Sequence, residues 1–308
     1  MAPRLAIGRF VLVGVLLAGA PAGAAEIERT GEPGLLPIPD LLRPEGPASA
    51  EAPLRVAGGC SVAPLPAAGV PFGPGEILTY DVSLLGIRTG TVAVRIGAPG
   101  EMDHVPVYPL HAHAKTTGFL SVLGTLDGRM VSYLDPKTLT PVRMANRFLV
   151  SALGQTDVVA REDAAFRGPA VSGRLSYRWS DGRRHTRPAR LKSTSDLVDV
   201  LSVIYYMRAR AFDDGDRFCF EIYHRRRLWR VEGRIGASEV VSAPFATRAA
   251  RRIEGTLTVV GGKEARPVTA WVSNDADRLP LLVETPDRFG TLTVKLTHFV
   301  PGRRLPAR

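Results

Sequence analysis

After Ala25 this chain has no apolar run long enough to cross a bilayer as a helix. It lacks a glycine-rich phosphate loop, a dinucleotide fingerprint and a His-Glu-x-x-His helix. Nucleotide-dependent and zinc-protease chemistry therefore have no motif to stand on, and no cofactor is expected. Acidic residues are the minority, 30 against 40 Lys and Arg, and the net charge is +10. Aromatics are not interleaved with the basic residues in the RNA-binding manner. The arginines are scattered along the chain, apart from Arg225-Arg226-Arg227 and the tail at Arg303-Arg304. This distribution argues against nucleic acid as a partner and for a weak attraction to an anionic membrane surface.

The N-terminus is the exception to the missing apolar runs. Met1 to Arg9 carries Arg4 and Arg9, Phe10 to Ala20 is apolar, and Pro21-Ala22-Gly23-Ala24-Ala25 offers small residues. This is the layout of a secretory signal peptide over residues 1–25, cleaved near Ala25. It predicts a periplasmic or secreted protein whose net charge falls from +10 to +8. Cysteine is nearly absent: Cys60 and Cys219 stand alone, 159 residues apart. An oxidising destination predicts a disulfide between them, worth about 5 kcal/mol in the chain-entropy account. A lipid on Cys60 is disfavoured, because Ala57-Gly58-Gly59 lies far beyond the apolar run that precedes a lipoprotein box. Residues 26–71 are rich in Pro, Gly and Ala, which block helix and ladder alike, and read as an arm or linker.

From Phe72 the hydrophobic period is mostly two. Leu78, Tyr80, Val82 and Leu84 alternate with Thr79, Asp81 and Ser83, the pattern of a half-buried strand. Leu85-Gly86 reads as the turn, and Gly90 in the return strand as a bulge or a close backbone approach. Strands follow in hairpin rhythm without βαβ alternation, which predicts an antiparallel sheet. Phe166 to Leu191 is basic and polar and reads as loop around one weak strand at Ser176–Trp179. One helix is expected at about 195–211, entered through Ser193 and Asp196 at capping-box spacing and stopped by Asp213-Asp214-Gly215. Its apolar surface is too wide for a solvent-facing helix, so it should plug the sheet. The fold class is thus mainly β, a large curved antiparallel sheet or open barrel with one inserted apolar helix. Residues 72–300 form a single β domain, and 301–308 a basic tail.

The polar candidates for chemistry read as structural. Asp199, Ser202 and Tyr206 share a helix stripe with Asp196. No Gly-x-Ser-x-Gly elbow surrounds Ser202, and Asp199 is expected to fix how the helix seats on the sheet. Tyr80 points inward over the helix, and Glu76 caps the strand entry. His111 and His113 share a strand face with Lys115, whose charge opposes a metal there. Trp271, like Trp179 and Trp229, is expected in the core. No catalytic, cofactor or metal residues are assigned.

Four motifs stand in order: Phe72-Gly73-Pro74-Gly75-Glu76-Ile77-Leu78-Thr79-Tyr80 followed by Gly90; Ser132-Tyr133-Leu134-Asp135-Pro136 with Thr140-Pro141; Asp199-Val200-Leu201-Ser202 running into Tyr205-Tyr206-Met207-Arg208; and Trp271-Val272-Ser273-Asn274-Asp275 with Leu279-Pro280. Together, over residues 72–299, they resemble the DUF3108 family of exported bacterial proteins, which implies no known activity or site residues. The Arg-rich stretch from Gly168 to Lys192 departs from the resemblance. The functional expectation is an exported, non-enzymatic envelope protein that binds a lipid or other amphiphile in a sheet cleft. The alternatives are an envelope module with a filled core that binds a protein partner, and third, an envelope-polymer hydrolase.

Overall fold

A computed structural model describes Leu65 and residues 69–304, apart from residues 123, 154–155, 263–264 and 288–289. The expected signal peptide, most of the expected arm, Cys60 and the last four residues lie outside the described residues. The first strands are β1 (Ile77–Leu84), β2 (Ile87–Ile96), the short β3 (Gly100–Met102) and β4 (Val105–Thr116). Then come β5 (Gly124–Leu134), β6 (Pro141–Ala152), β7 (Val158–Arg167), β8 (Ala170–Trp179), β9 (Arg184–Lys192) and β10 (Leu197–Asp199). The one α-helix among the described residues, α1 (Ser202–Arg208), precedes β11 (Arg217–His224), β12 (Arg227–Ala243), β13 (Ala246–Val259), β14 (Ala265–Ser273), β15 (Pro280–Asp287) and β16 (Gly290–Val300).

All the strands belong to one open sheet. It runs from β10 through β11 to β16, crosses to β1, and continues through β2 and β4 to β9, with β3 attached to β4 alone. Every pairing is antiparallel except β10 with β11. The architecture is therefore the large curved antiparallel sheet with one inserted helix that the alternation predicts.

The turn from β1 to β2 places Leu85 at φ 53° and Gly86 at φ 77°. Both positive values suit a tight hairpin, but a leucine in that region is strained. At Gly90 the register of β1 against β2 slips between Val82 and Ser83. A Cβ on Gly90 would stand 2.8 Å from the Lys115 carbonyl oxygen, so the bulge and the close approach coincide.

Two expectations are corrected. The helix does not span residues 195–211: Leu197–Asp199 pairs in parallel with β11, and only Ser202–Arg208 is helical. Leu197 and Val198 are buried in that ladder, where an apolar, partly β-branched pair fits well. Ser193 does not cap the helix; its hydroxyl closes a local turn with Ser195. The stretch from Phe166 to Leu191 is not loop. It completes β7 and forms β8 and most of β9, with Val171, Leu175, Tyr177 and Trp179 buried on one face and arginines on the other. Period-two burial survives there because the outward positions can be arginine without touching the core.

The sheet curls onto itself. Met144, Phe166 and Val171 of β6–β8 pack with Leu197, Tyr223 and Leu228 from β10–β12, so one end of the sheet seats inside the other. The helix joins two clusters: Leu201 and Tyr205 pack with Tyr80, Leu281 and Leu296, while Tyr206 packs with Phe218, Phe220 and Trp229. A seven-residue helix is too short to be stable alone, so packing holds it.

Candidate functional site

Polar anchors fix the helix at both ends. At its start the buried Asp199 carboxylate accepts the Leu201 and Ser202 amides at 2.9 and 2.7 Å and the Ser132 hydroxyl at 2.5 Å. The Ser202 hydroxyl in turn accepts the Asp199 amide. Burial holds Asp199 above the usual carboxylate range, and these hydrogen bonds offset only part of that rise. At the end of α1, Arg208 donates to both oxygens of Glu76, at 2.5 and 3.0 Å, with both side chains 1% exposed. It also donates to the backbone carbonyls of Asp277 and Arg278 and lies over the rings of Phe72 and Tyr205. Burial alone would lower Arg208, but the bonds and charge of Glu76 leave it raised. Glu76 thus ties the helix to the entry of β1 rather than capping that strand.

The other singled-out residues fall around this frame. Tyr80 is buried in the main core, its hydroxyl pushed up by burial. Tyr206 is buried, donates to Asp196 and carries the Arg210 guanidinium 3.4 Å from its ring centre. Trp271 is half-buried and donates from its indole to Glu239. His113 meets Asp127 at 3.2 Å on the exposed face of β4, and no group of three or more metal-ligating side chains occurs among the described residues. Cys219 is half-buried on the outer side of β11.

A further buried carboxylate, Glu162 of β7, sits where the two ends of the sheet meet. It accepts the Arg226 amide at 3.2 Å from the β11–β12 turn. Burial pushes its pKa up to about 7, with Arg225 opposing. His224, on the same turn, is pushed down to about 3 by burial and then by Arg225. Little in the sequence marks Glu162, which accepts an amide from 64 residues away. Its place inside the alternation, inward between Ala160 and Ala164, is the one clue available.

Two hollows flank the sheet over β11–β14, one on each face. The larger, about 710 Å3, is a broad polar depression on the outer face of β11–β14, beside Cys219, Glu232 and Arg234. The smaller, about 140 Å3, is a cleft between α1 and the inner face of β11–β15. Val200, Val203, Ile204 and Met207 form its helix wall. Phe218, Ile222, Ile253 and Val268 form much of its sheet wall. The two hollows share Phe218, Gly255 and Val268 and lie back to back across one sheet thickness. Phe218, Gly233, Gly255 and Val268 are one cross-strand row, and a Cβ on Gly233 would strike the Phe218 ring. The glycine lets that ring lie flat beside the cleft. Of the two, the cleft has the chemistry of a binding site for apolar matter, because the helix side chains Val203, Ile204 and Met207 are only half-buried and face it.

A curved open β-sheet with a short helix seated on its inner face and an apolar cleft beside that helix defines the class of this protein. The chain belongs to the DUF3108 family of proteins of unknown function, whose model matches residues 79–297. No curated protein matches the sequence. Among solved structures, the chain is similar to a β-barrel-like protein of the DUF1849 domain of unknown function from Brucella abortus, at 12% identity and TM-score 0.50, covering 76% of this chain and 100% of that one. That likeness supports the fold. Weaker likenesses are to a putative exported protein with a YmcC-like fold from Bacteroides fragilis (11% identity, TM-score 0.33, 75% of this chain and 98% of that one) and to a putative lipoprotein from Parabacteroides distasonis (7% identity, TM-score 0.29, 76% and 99%).

Proposed function

We propose that this is an exported, non-enzymatic envelope protein that binds the apolar end of a lipid or other amphiphile in the cleft between α1 and β11–β15. The observation that carries the reading is the lining: apolar side chains from helix and sheet converge on a hollow that they do not fill. A dry apolar cavity of about 150 Å3 is enough to hold a benzene-sized group, so a volume of about 140 Å3 suits a ring or a few methylenes. A longer acyl chain would need α1 to shift outward. Export and a Cys60–Cys219 disulfide complete the reading and rest on the N-terminal pattern and the cysteine count.

The modest volume favours a second reading, an envelope module with a filled core that binds a protein partner, because ligand pockets usually exceed about 300 Å3. Hydrolysis is the weakest reading, since Glu76, Asp199 and Glu162 are each engaged by different structural partners. The test is titration with an environment-sensitive fluorescent fatty acid. Saturable binding that Val203→Trp abolishes without changing the far-ultraviolet circular dichroism supports the cleft. Equal binding by that variant sinks it.

A further inference from the structure

Paired residues in an antiparallel ladder point to the same face, so the register of β5–β9 can be read as rows. One row sets Arg129, Arg147 and Arg161 side by side on three adjacent strands. The next sets Arg178 against Arg184. On the other flank Arg174 pairs with Asp163, and Arg143, Arg190 and Lys192 extend the face toward its end, beside Arg167. All these basic residues are exposed, on the side opposite the buried Leu175, Tyr177 and Trp179. The face carries ten basic and two acidic side chains, Asp127 and Asp163, a surplus of eight against +10 for the whole chain. Arginines scattered in sequence are gathered in space. The outer side of β11–β13 differs, since two of its arginines stand in ion pairs, Arg230 with Glu221 and Arg252 with Glu254.

We propose that the arginine face of β5–β9 is a docking surface for an anionic phospholipid bilayer. At strand spacings of about 4.8 Å and about 3.3 Å per residue the face measures about 24 by 33 Å, roughly one net positive charge per 100 Å2. Nine of its ten cations are arginine, whose planar fork matches phosphate oxygens better than an ammonium does. Both hollows described above lie away from the face. Tyr133 is its one outward aromatic, too few to stack the bases of a single strand. A broad, shallow, phosphate-matching surface fits a plane of headgroups best. The inference does not depend on the cleft.

The test is co-sedimentation of the purified protein with phosphatidylglycerol–phosphatidylcholine vesicles and with pure phosphatidylcholine vesicles, at about 0.1 M salt. The protein should bind the anionic vesicles, release at high salt and ignore the neutral ones. Arg147→Glu with Arg161→Glu should weaken binding by at least about 25-fold, the product of two contacts of about fivefold each. Arg147→Gln with Arg161→Gln should weaken it in the same direction with less disturbance of the sheet. Arg217→Glu with Arg234→Glu makes the same change in net charge on the outer side of β11–β12 and should leave most of the binding. Equal loss in both charge-reversed pairs, equal binding to neutral vesicles, or tighter binding to heparin or oligo-dT than to vesicles would overturn the proposal.

Discussion

Arg208 is a side chain whose loss should be costly. It is buried with its carboxylate partner Glu76, and removing either member strands the other charge. Breaking such a pair costs about 3–5 kcal/mol. Arg208→Ala should lower the urea midpoint accordingly, while Glu76→Leu combined with Arg208→Met should recover much of the loss; equal damage from single and double variants would show that the charges are not what matters. Glu162 gives a second residue-scale prediction. Its pKa rises from 4.5 to about 7 on folding because burial penalises the charged form. The folded state holds that proton more tightly, so the stabilisation is complete below pH about 4.5 and is lost as pH rises through about 7. Glu162→Gln has no such charge to bury, and its stability relative to the parent should grow by about 3 kcal/mol between pH 4.5 and 8. His224 runs the other way: its pKa falls from 6.5 to about 3 on folding, so its contribution is present above about 6.5 and lost toward pH 3. Melting curves across pH decide both, and a Glu162→Gln profile parallel to the parent would contradict the first.

Among the elements, α1 is held more by its anchors than by its own hydrogen bonds. Asp199 occupies two backbone amides and ties them to Ser132 on β5. Asp199→Ala should therefore cost about 1–3 kcal/mol and speed amide exchange in α1 before it speeds exchange in β12 and β13. Uniform acceleration would mean the anchor is not local. The helix length was not legible in the sequence. Leu197 and Val198 satisfy a helical stripe and a buried strand equally well, and only the presence of β11 alongside selects the strand. The same limit hid β8 and β9. Their apolar positions alternate, but arginines at the outward ones made the stretch look like loop. Gly90 was legible because a glycine inside an alternating strand has few other uses, and here the Lys115 carbonyl oxygen lies against it.

The whole molecule is a sheet whose ends are brought together by contacts far apart in sequence. The Arg225 side chain donates to the Tyr177 hydroxyl, the Arg226 guanidinium to the Pro188 carbonyl, and the Arg226 amide to Glu162. Neither the arginine face nor the set of residues lining the cleft was legible in the sequence, for the same reason: each exists only once strands separated by hairpins stand side by side. The alternation and the turns were enough for the sheet itself. The wrap also makes the cleft sensitive to Gly233, since a methyl there would push the Phe218 ring toward α1. Gly233→Ala should weaken fluorescent fatty-acid binding more than it lowers the melting point, and a variant that binds like the parent would separate the ring from the cleft. The most direct measurement of the central claim is native mass spectrometry of the protein purified from its own cells without detergent, before and after organic extraction. The account predicts a reproducible excess mass that extraction removes, on a chain two hydrogens lighter than its reduced form. A bare chain mass in both spectra would contradict the cleft's role in binding.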